Sequence, residues 1–156
     1  MKKTYIAPNI ERNSAGNMNK YGAKSVVRHQ DKIEGIPISD LVKNFGSPLI
    51  VLSEAQMRKR YRRLLDVMQM HYPKVEMAWS YKTNYLAAVC NIFHQEGSRA
   101  EVVSKMEYQM ARKRGIEGKS IIFNGPGKTA DSLRTAIEEG ALIHIDHLDE
   151  LYLIEK

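Results

Sequence analysis

Cysteine occurs only once in the 156 residues, at Cys90, so neither an intrachain disulfide nor a cysteine metal cluster can be built from this chain alone. Cys90 follows Val89 and precedes Phe93 by one turn on a stretch predicted to be helical, where a lone thiol acts as a small buried apolar group. Metal-ligand spacing is missing as well. The histidines include no His-Glu-x-x-His pattern, and His94, His144 and His147 read as structural or surface residues, so no metal is expected. Apolar runs are short throughout. None reaches the length that spans a bilayer, and Met1-Lys2-Lys3 is not followed by an apolar signal segment. The expectation is a cytoplasmic protein with no membrane partner.

Negative charge is in deficit, leaving a formal net charge of +6. Much of the excess lies in Arg58-Lys59-Arg60, Arg62-Arg63 and Arg112-Lys113-Arg114. In the first cluster the basic residues share a helical pattern with Met57, Tyr61, Leu64, Leu65 and Met68, which fall at the spacing of one buried face. The basic residues then take the solvated side of an amphipathic helix. Nucleic-acid recognition needs basic residues accompanied by aromatic or groove-reading partners. These are absent, and no nucleic-acid partner is expected.

Residues 1–32 form a polar arm without periodicity, rich in Asn, Gly and Lys. Residues 33–74 read as an entry segment. It comprises a short helix from Ser39 to Phe45 closed by Gly46, a strand Pro48–Leu52, and a long helix opened by Ser53 with Gln56 three residues on. Regularity begins at Val75. Over 75–156, strands are predicted to end near Lys82, Val103, Asn124 and Ile145, about 21 residues apart, and a helix signal follows each. Asn84, Ser104 (with Glu107) and Thr129 stand as caps, and Gly140 ends the third of these helices. Short apolar strands alternating with helices imply parallel β/α units with a covered sheet. Four units do not close a barrel of eight, although they could form an open doubly wound sheet. The last helix is still running at Lys156, which suggests a piece of a longer protein.

Two motifs compete for chemistry. Asn124-Gly125-Pro126-Gly127-Lys128-Thr129 ends like a phosphate-binding Gly-Lys-Thr loop, but Ile122 stands where that motif needs its first glycine. A dinucleotide fingerprint fits better: Gly125, Gly127 and Ala130 satisfy G-x-G-x-x-A between a strand and a helix, with Asp146 further on. Pro126 removes one donor N–H from it, and the loop is not the first β/α turn. The other motif is Trp79-Ser80-Tyr81-Lys82-Thr83-Asn84. Lys82 closes a strand, and in parallel β/α architectures ligand chemistry collects at that end. A partly desolvated lysine there becomes a nucleophile for a carbonyl; an exposed one is ordinary surface.

From Ile33 to Lys156 the chain resembles the N-terminal part of the alanine-racemase-fold decarboxylases that use pyridoxal 5′-phosphate (PLP), the diaminopimelate, ornithine and arginine decarboxylase family. The resemblance is carried by "GIPISDLVKNFGSPLIVLSE", by "SYKTN" with Trp79 in the aromatic slot of the lysine motif, and by "GSRAEVVSKMEYQMA". "IIFNGPGKTADSLRTAIEEG" and "IHIDHLDEL" continue in the same order. It implies a partial PLP-binding (β/α)8 barrel, made of about the first four β/α units and preceded by a strand and an N-terminal arm. It implies that Lys82 forms the Schiff base with PLP, with Glu101, Ser104 and Asn124 beside the cofactor. Glu101 stands where the family usually has aspartate, so a longer side chain must fit there. Ser104 and Glu107 also have a purely structural use, as a helix cap. The family's glycine-rich phosphate site, its acidic partner for the pyridine nitrogen and its catalytic cysteine fall later in the chain than Lys156.

The expected activity of the parent protein is therefore that of a PLP-dependent carboxy-lyase of the diaminopimelate/ornithine type acting on a small-molecule amino-acid substrate, with a homodimeric parent and this chain inactive alone. A non-catalytic relative of the same fold, a racemase or PLP-carrier branch, and a dinucleotide enzyme are the alternative readings.

Overall fold

The computed structural model describes residues 31–155, and these divide into two compact units between Val51 and Leu52. The expected N-terminal arm lies, up to residue 30, outside the described residues.

The first unit holds a two-residue hairpin, β1 (Lys32–Ile33) against β2 (Ile36–Pro37), paired antiparallel. Glu34 and Gly35 make its turn with φ of 51° and 81°. Both turn residues need positive φ, the requirement of the tight turns that suit strand twist. Helix α1 (Ile38–Phe45) follows and ends at Gly46, whose N–H donates to Val42 O. The stretch Pro48–Leu52, expected as a strand, has no ladder partner among the described residues and leaves Ile50 90% exposed. Apolar, β-branched composition favours extended backbone, but a strand exists only where a neighbour takes its hydrogen bonds.

The second unit opens with α2 (Glu54–Gln69), where the Ser53 hydroxyl accepts from the N–H of Gln56. Tyr61 is the one fully buried residue of this helix, while Leu64 and Met68, expected on the same face, remain about half exposed. Three β/α units and a fourth strand with its helix come next: β3 (Ala78–Ser80), α3 (Ala87–Gln95), β4 (Arg99–Val102), α4 (Lys105–Lys113), β5 (Ile121–Phe123), α5 (Ala130–Glu138), β6 (Leu142–Ile143) and α6 (Leu148–Glu155). The strands form one sheet in the order β3-β4-β5-β6, every pair parallel. The alternation of strand and helix thus yields the β/α repeat anticipated from the sequence, with shorter strands than the apolar runs suggested.

Caps set the helix starts. Ser104 accepts from Glu107 N, and Glu107 turns back to accept from Val103 N at 2.7 Å. Thr129 and Ser132 satisfy each other's backbone N–H groups in a reciprocal capping box. Asn84 behaves differently from the cap expected of it. Its Oδ1 accepts from Leu86 N at 3.0 Å, closing a local turn, and α3 begins only at Ala87. Asparagine competes well for such short-range bonds, which delay a helix rather than open it.

Period-two alternation decides what each strand buries. Tyr81, Ala100, Val102, Ile121 and Phe123 pack with Cys90, Tyr108, Ala111 and Ala136 in one core between sheet and helices. Trp79 extends the contact by stacking on Phe93 of α3 at 3.9 Å between ring centroids. Among the described residues no helix is long and apolar enough to cross a membrane.

Candidate active site

Because Trp79 faces α3, its neighbour Ser80 belongs to the opposite face of the sheet, and Lys82 follows two residues on, in the turn after β3. The ladder extends this row. Ser80 pairs with Glu101, Glu101 with Ile122, and Ile122 with Leu142. One step further along the strands come Lys82, Asn124 and His144, just past the C-terminal ends of β3, β5 and β6. The structure therefore joins two of the four expected site residues, Glu101 and Asn124, by a hydrogen bond, and sets Lys82 at the same end of the sheet, two residues past the Ser80 that pairs with Glu101.

Lys82 occupies the first turn after β3, where Tyr81 N donates to Glu101 O and Thr83 N to Ser80 O. Its side chain is exposed and makes no hydrogen bond or ion pair among the described residues. Its backbone is held on both sides while its amine is left free. Glu101 is partly buried and does have a partner: Asn124 Nδ2 donates to Glu101 Oε1 at 3.1 Å. Asn124 is itself held, since its Oδ1 accepts from Gly125 N at 2.8 Å. Ser104 lies three residues beyond Glu101, and its hydroxyl oxygen caps α4. A hydroxyl that accepts one bond still has its proton to donate.

Ser80 was not among the residues singled out from the sequence. Its Oγ is buried and has no hydrogen-bond partner among the described residues, in the row that carries Glu101. It stood inside the lysine motif without a role of its own, because an unpaired serine is recognisable only once its surroundings are known.

The dinucleotide reading does not survive the geometry of its loop. Gly125, at φ 86°, packs its Cα against Val103, and Lys128 is turned inward, with no solvent exposure of its side chain. Lys128 Nζ meets Asp146 Oδ2 at 2.8 Å, so the acidic residue that would bind a ribose already holds a cation. Nor are the basic residues of α2 simply solvated. Arg58 and Arg62 both bind Glu96 at the end of α3, in contacts of 2.8 Å and 2.5 Å. Among the described residues no three His, Cys, Asp or Glu side chains are grouped to hold a metal ion.

A parallel β/α sheet whose polar side chains and exposed lysine collect at the C-terminal ends of its strands defines the class of β/α domains that bind ligands at that end. Comparison with known proteins makes this specific. Residues 54–156 match the family model "Pyridoxal-dependent decarboxylase, pyridoxal binding domain", and the chain belongs to that family. Pyridoxal 5′-phosphate is the cofactor that this membership implies.

Among its relatives is the diaminopimelate decarboxylase of Methanothermobacter thermautotrophicus, 29% identical over 92% of this chain and 31% of the relative. That of Methanocaldococcus jannaschii is 30% identical over 80% of this chain and 30% of the relative. The crystal structure of the M. jannaschii enzyme in complex with L-lysine superposes with a TM-score of 0.71 at 31% identity, covering 79% of this chain and 30% of that one. Vibrio vulnificus lysine/ornithine decarboxylase with putrescine gives 0.65 at 24% identity, covering 76% and 32%, a likeness of fold. The chain thus spans about a third of the length of the relatives it matches, and corresponds to the N-terminal part of their PLP-binding barrel.

The residues present fit the aldehyde end of PLP. A free lysine amine supplies the group that condenses with an aldehyde. Ser80 Oγ, without a partner among the described residues, and the Asn124–Glu101 pair add polar groups at the same end of the sheet.

Proposed function

We propose that this chain is the N-terminal, lysine-bearing portion of a PLP-dependent amino-acid carboxy-lyase of the diaminopimelate type. The observation that carries the reading is the free amine of Lys82 just past the C-terminal end of β3, the strand whose last residue, Ser80, pairs with Glu101 of the Glu101–Asn124 pair. Residues 75–156 are then the first four β/α units of the barrel, 33–74 its entry segment and 1–32 an arm. The whole protein would act in the cytoplasm as a homodimer.

Lys82 would hold the cofactor covalently through Nζ and give it up to the amine of an amino-acid substrate. The cofactor, when bound, supplies the electron sink that makes loss of CO2 from an amino acid feasible. Glu101 would present its carboxyl group beside the reacting end, its orientation set by the Asn124 amide. Ser104 would donate its remaining hydroxyl proton, and Ser80 would offer a second hydroxyl on the same side. The 156-residue chain carries these groups without the rest of the barrel of its relatives, and no CO2 release from diaminopimelate, ornithine, lysine or arginine is expected from it.

The test is chemical. PLP added to the folded chain should give an imine absorbance band, and borohydride should fix the label on the peptide containing Lys82. Loss of the band and of that label in Lys82→Ala is the expected result. Label spread evenly over surface lysines, unchanged in Lys82→Ala, would overturn the assignment.

A further inference from the structure

The ammonium of Lys128 is completely enclosed, and each of its three donors has an acceptor. Nζ lies 2.5 Å from Gly125 O, 2.8 Å from Asp146 Oδ2 and 3.0 Å from Glu150 Oε2. The ring of Phe123 sits beneath it at 5.8 Å. Glu150, only 4% exposed, also accepts the backbone N–H of Asp146 at 3.0 Å. Burying a cation against two carboxylates brings little net stability, because desolvation offsets most of the attraction. The best-attested use of such a cluster is to fix one arrangement of the elements it joins.

What this cluster fixes can be followed bond by bond. Lys128 holds the Gly125 carbonyl, and the N–H of the same glycine donates to Asn124 Oδ1. Asn124 Nδ2 then donates to Glu101 Oε1. A continuous polar path thus runs from Glu150 on α6, through the β5–α5 loop, to the carboxylate on β4. Gly125 leaves this path little slack. Its φ is 86°, and a Cβ placed there would lie 2.9 Å from Val103 Cβ, so the loop rests directly on the end of β4.

We propose that Lys128 is a positioning residue. Anchored by Asp146 and Glu150, it sets the Gly125 peptide and through it the Asn124 amide, and so gives the Glu101 carboxylate one hydrogen-bonded orientation at the sheet end that carries Lys82. The consequence for cofactor binding rests on the proposed PLP reading; the geometric coupling does not.

The experiment uses isotope-labelled 156-residue chain and two readouts. The side-chain amide of Asn124, followed by NMR, reports the path. The indole N–H of Trp79, which donates to Asn84 O at 2.9 Å outside the path, reports that the fold is intact. The variant is Lys128→Met combined with Glu150→Gln, which removes the ammonium and its most buried counter-charge together. The expected result is an unchanged Trp79 signal, an Asn124 amide that loses its protection from exchange, and a PLP dissociation constant raised about tenfold, the scale on which supporting hydrogen bonds act on the groups they orient. Lys128→Arg should restore part of both effects. An unaltered Asn124 amide in the folded double variant overturns the proposal. Should the double variant lose the Trp79 signal, Asp146→Asn, at a residue whose side chain is 33% exposed, is read in the same way, and an unaltered Asn124 amide there overturns it too. Failure of the parent chain to bind PLP would refute the cofactor reading alone, since the amide readout needs no cofactor.

Discussion

The phenol of Tyr81 lies 2.8 Å from Nε2 of His94, and Nδ1 of the same ring lies 2.8 Å from the carbonyl oxygen of Ser98. A carbonyl can only accept, so Nδ1 carries the proton and donates, and Nε2 accepts from the Tyr81 hydroxyl. Burial favours this neutral form of the ring. It braces the residue next to Lys82 against the end of α3.

Burial pushes the His94 pKa below its ordinary value; the Ser98 carbonyl opposes this and the nearby Arg114 charge adds to it. The charged form is therefore penalised in the folded state only. Unfolded chain takes up the proton first, so the contribution is fully present above about pH 6.5 and is lost as pH falls below it. Thermal midpoints measured from pH 7.5 downward should decline first in this window, and His94→Gln should remove that decline. Tyr81→Phe, which leaves Nε2 without its donor, should lower stability by about 1 kcal/mol.

Glu96 should produce a second, separate acid limb. Hydrogen bonds from Arg62 and then Arg58 hold its carboxyl down at about 2. Because the folded pKa lies below the unfolded value of about 4.3, the contribution is present above that value and fades as pH falls toward 2. Denaturant titrations over this range should lose their slope in Glu96→Gln. High salt should weaken the limb, since Arg62 is 64% exposed.

Two glycines of one loop should respond oppositely to alanine. Gly125→Ala must adopt φ near 86° and press on Val103, and should cost about 1–3 kcal/mol in urea unfolding. A Cβ at Gly127 meets nothing within 4 Å, so Gly127→Ala should be neutral or stabilising by up to about 1 kcal/mol. Equal losses at both positions would mean that the loop does not rest on β4 as described.

The sheet should also betray itself in solution. Among the described residues β3 and β6 each have one unpaired edge, and Leu142, Ile145, Leu148 and Tyr152 are exposed at the β6 end. Unpaired edges beside apolar surface template association. Sedimentation of the 156-residue chain should show concentration-dependent self-association. A clean monomer with a sharp, concentration-independent unfolding transition would contradict this.

Much of the architecture was legible in the residues alone, because its causes are local. Alternating apolar positions, the Ser53, Ser104 and Thr129 caps and the Gly140 stop act within a few residues, and they set the β/α repeat and the place of Lys82 at a strand end. The lysine motif and its ordered neighbours were enough to indicate the family. Local signals fall short where a partner at a distance decides: Pro48–Leu52 has a strand's composition but no ladder partner among the described residues. The same limit applies to the polar contacts. Tyr81 meets His94 across 13 residues, Lys128 meets Glu150 across 22, and Arg62 meets Glu96 across 34. Lys128 lay in a motif that read as a phosphate or dinucleotide loop, and only its enclosure by Asp146 and Glu150 assigns it elsewhere. Spacing along the chain fixes which face of a strand or helix a residue joins. Which carboxylate meets which cation depends on how successive β/α units stack side by side, and that register arises from the parallel ladder and the packed core rather than from any one segment.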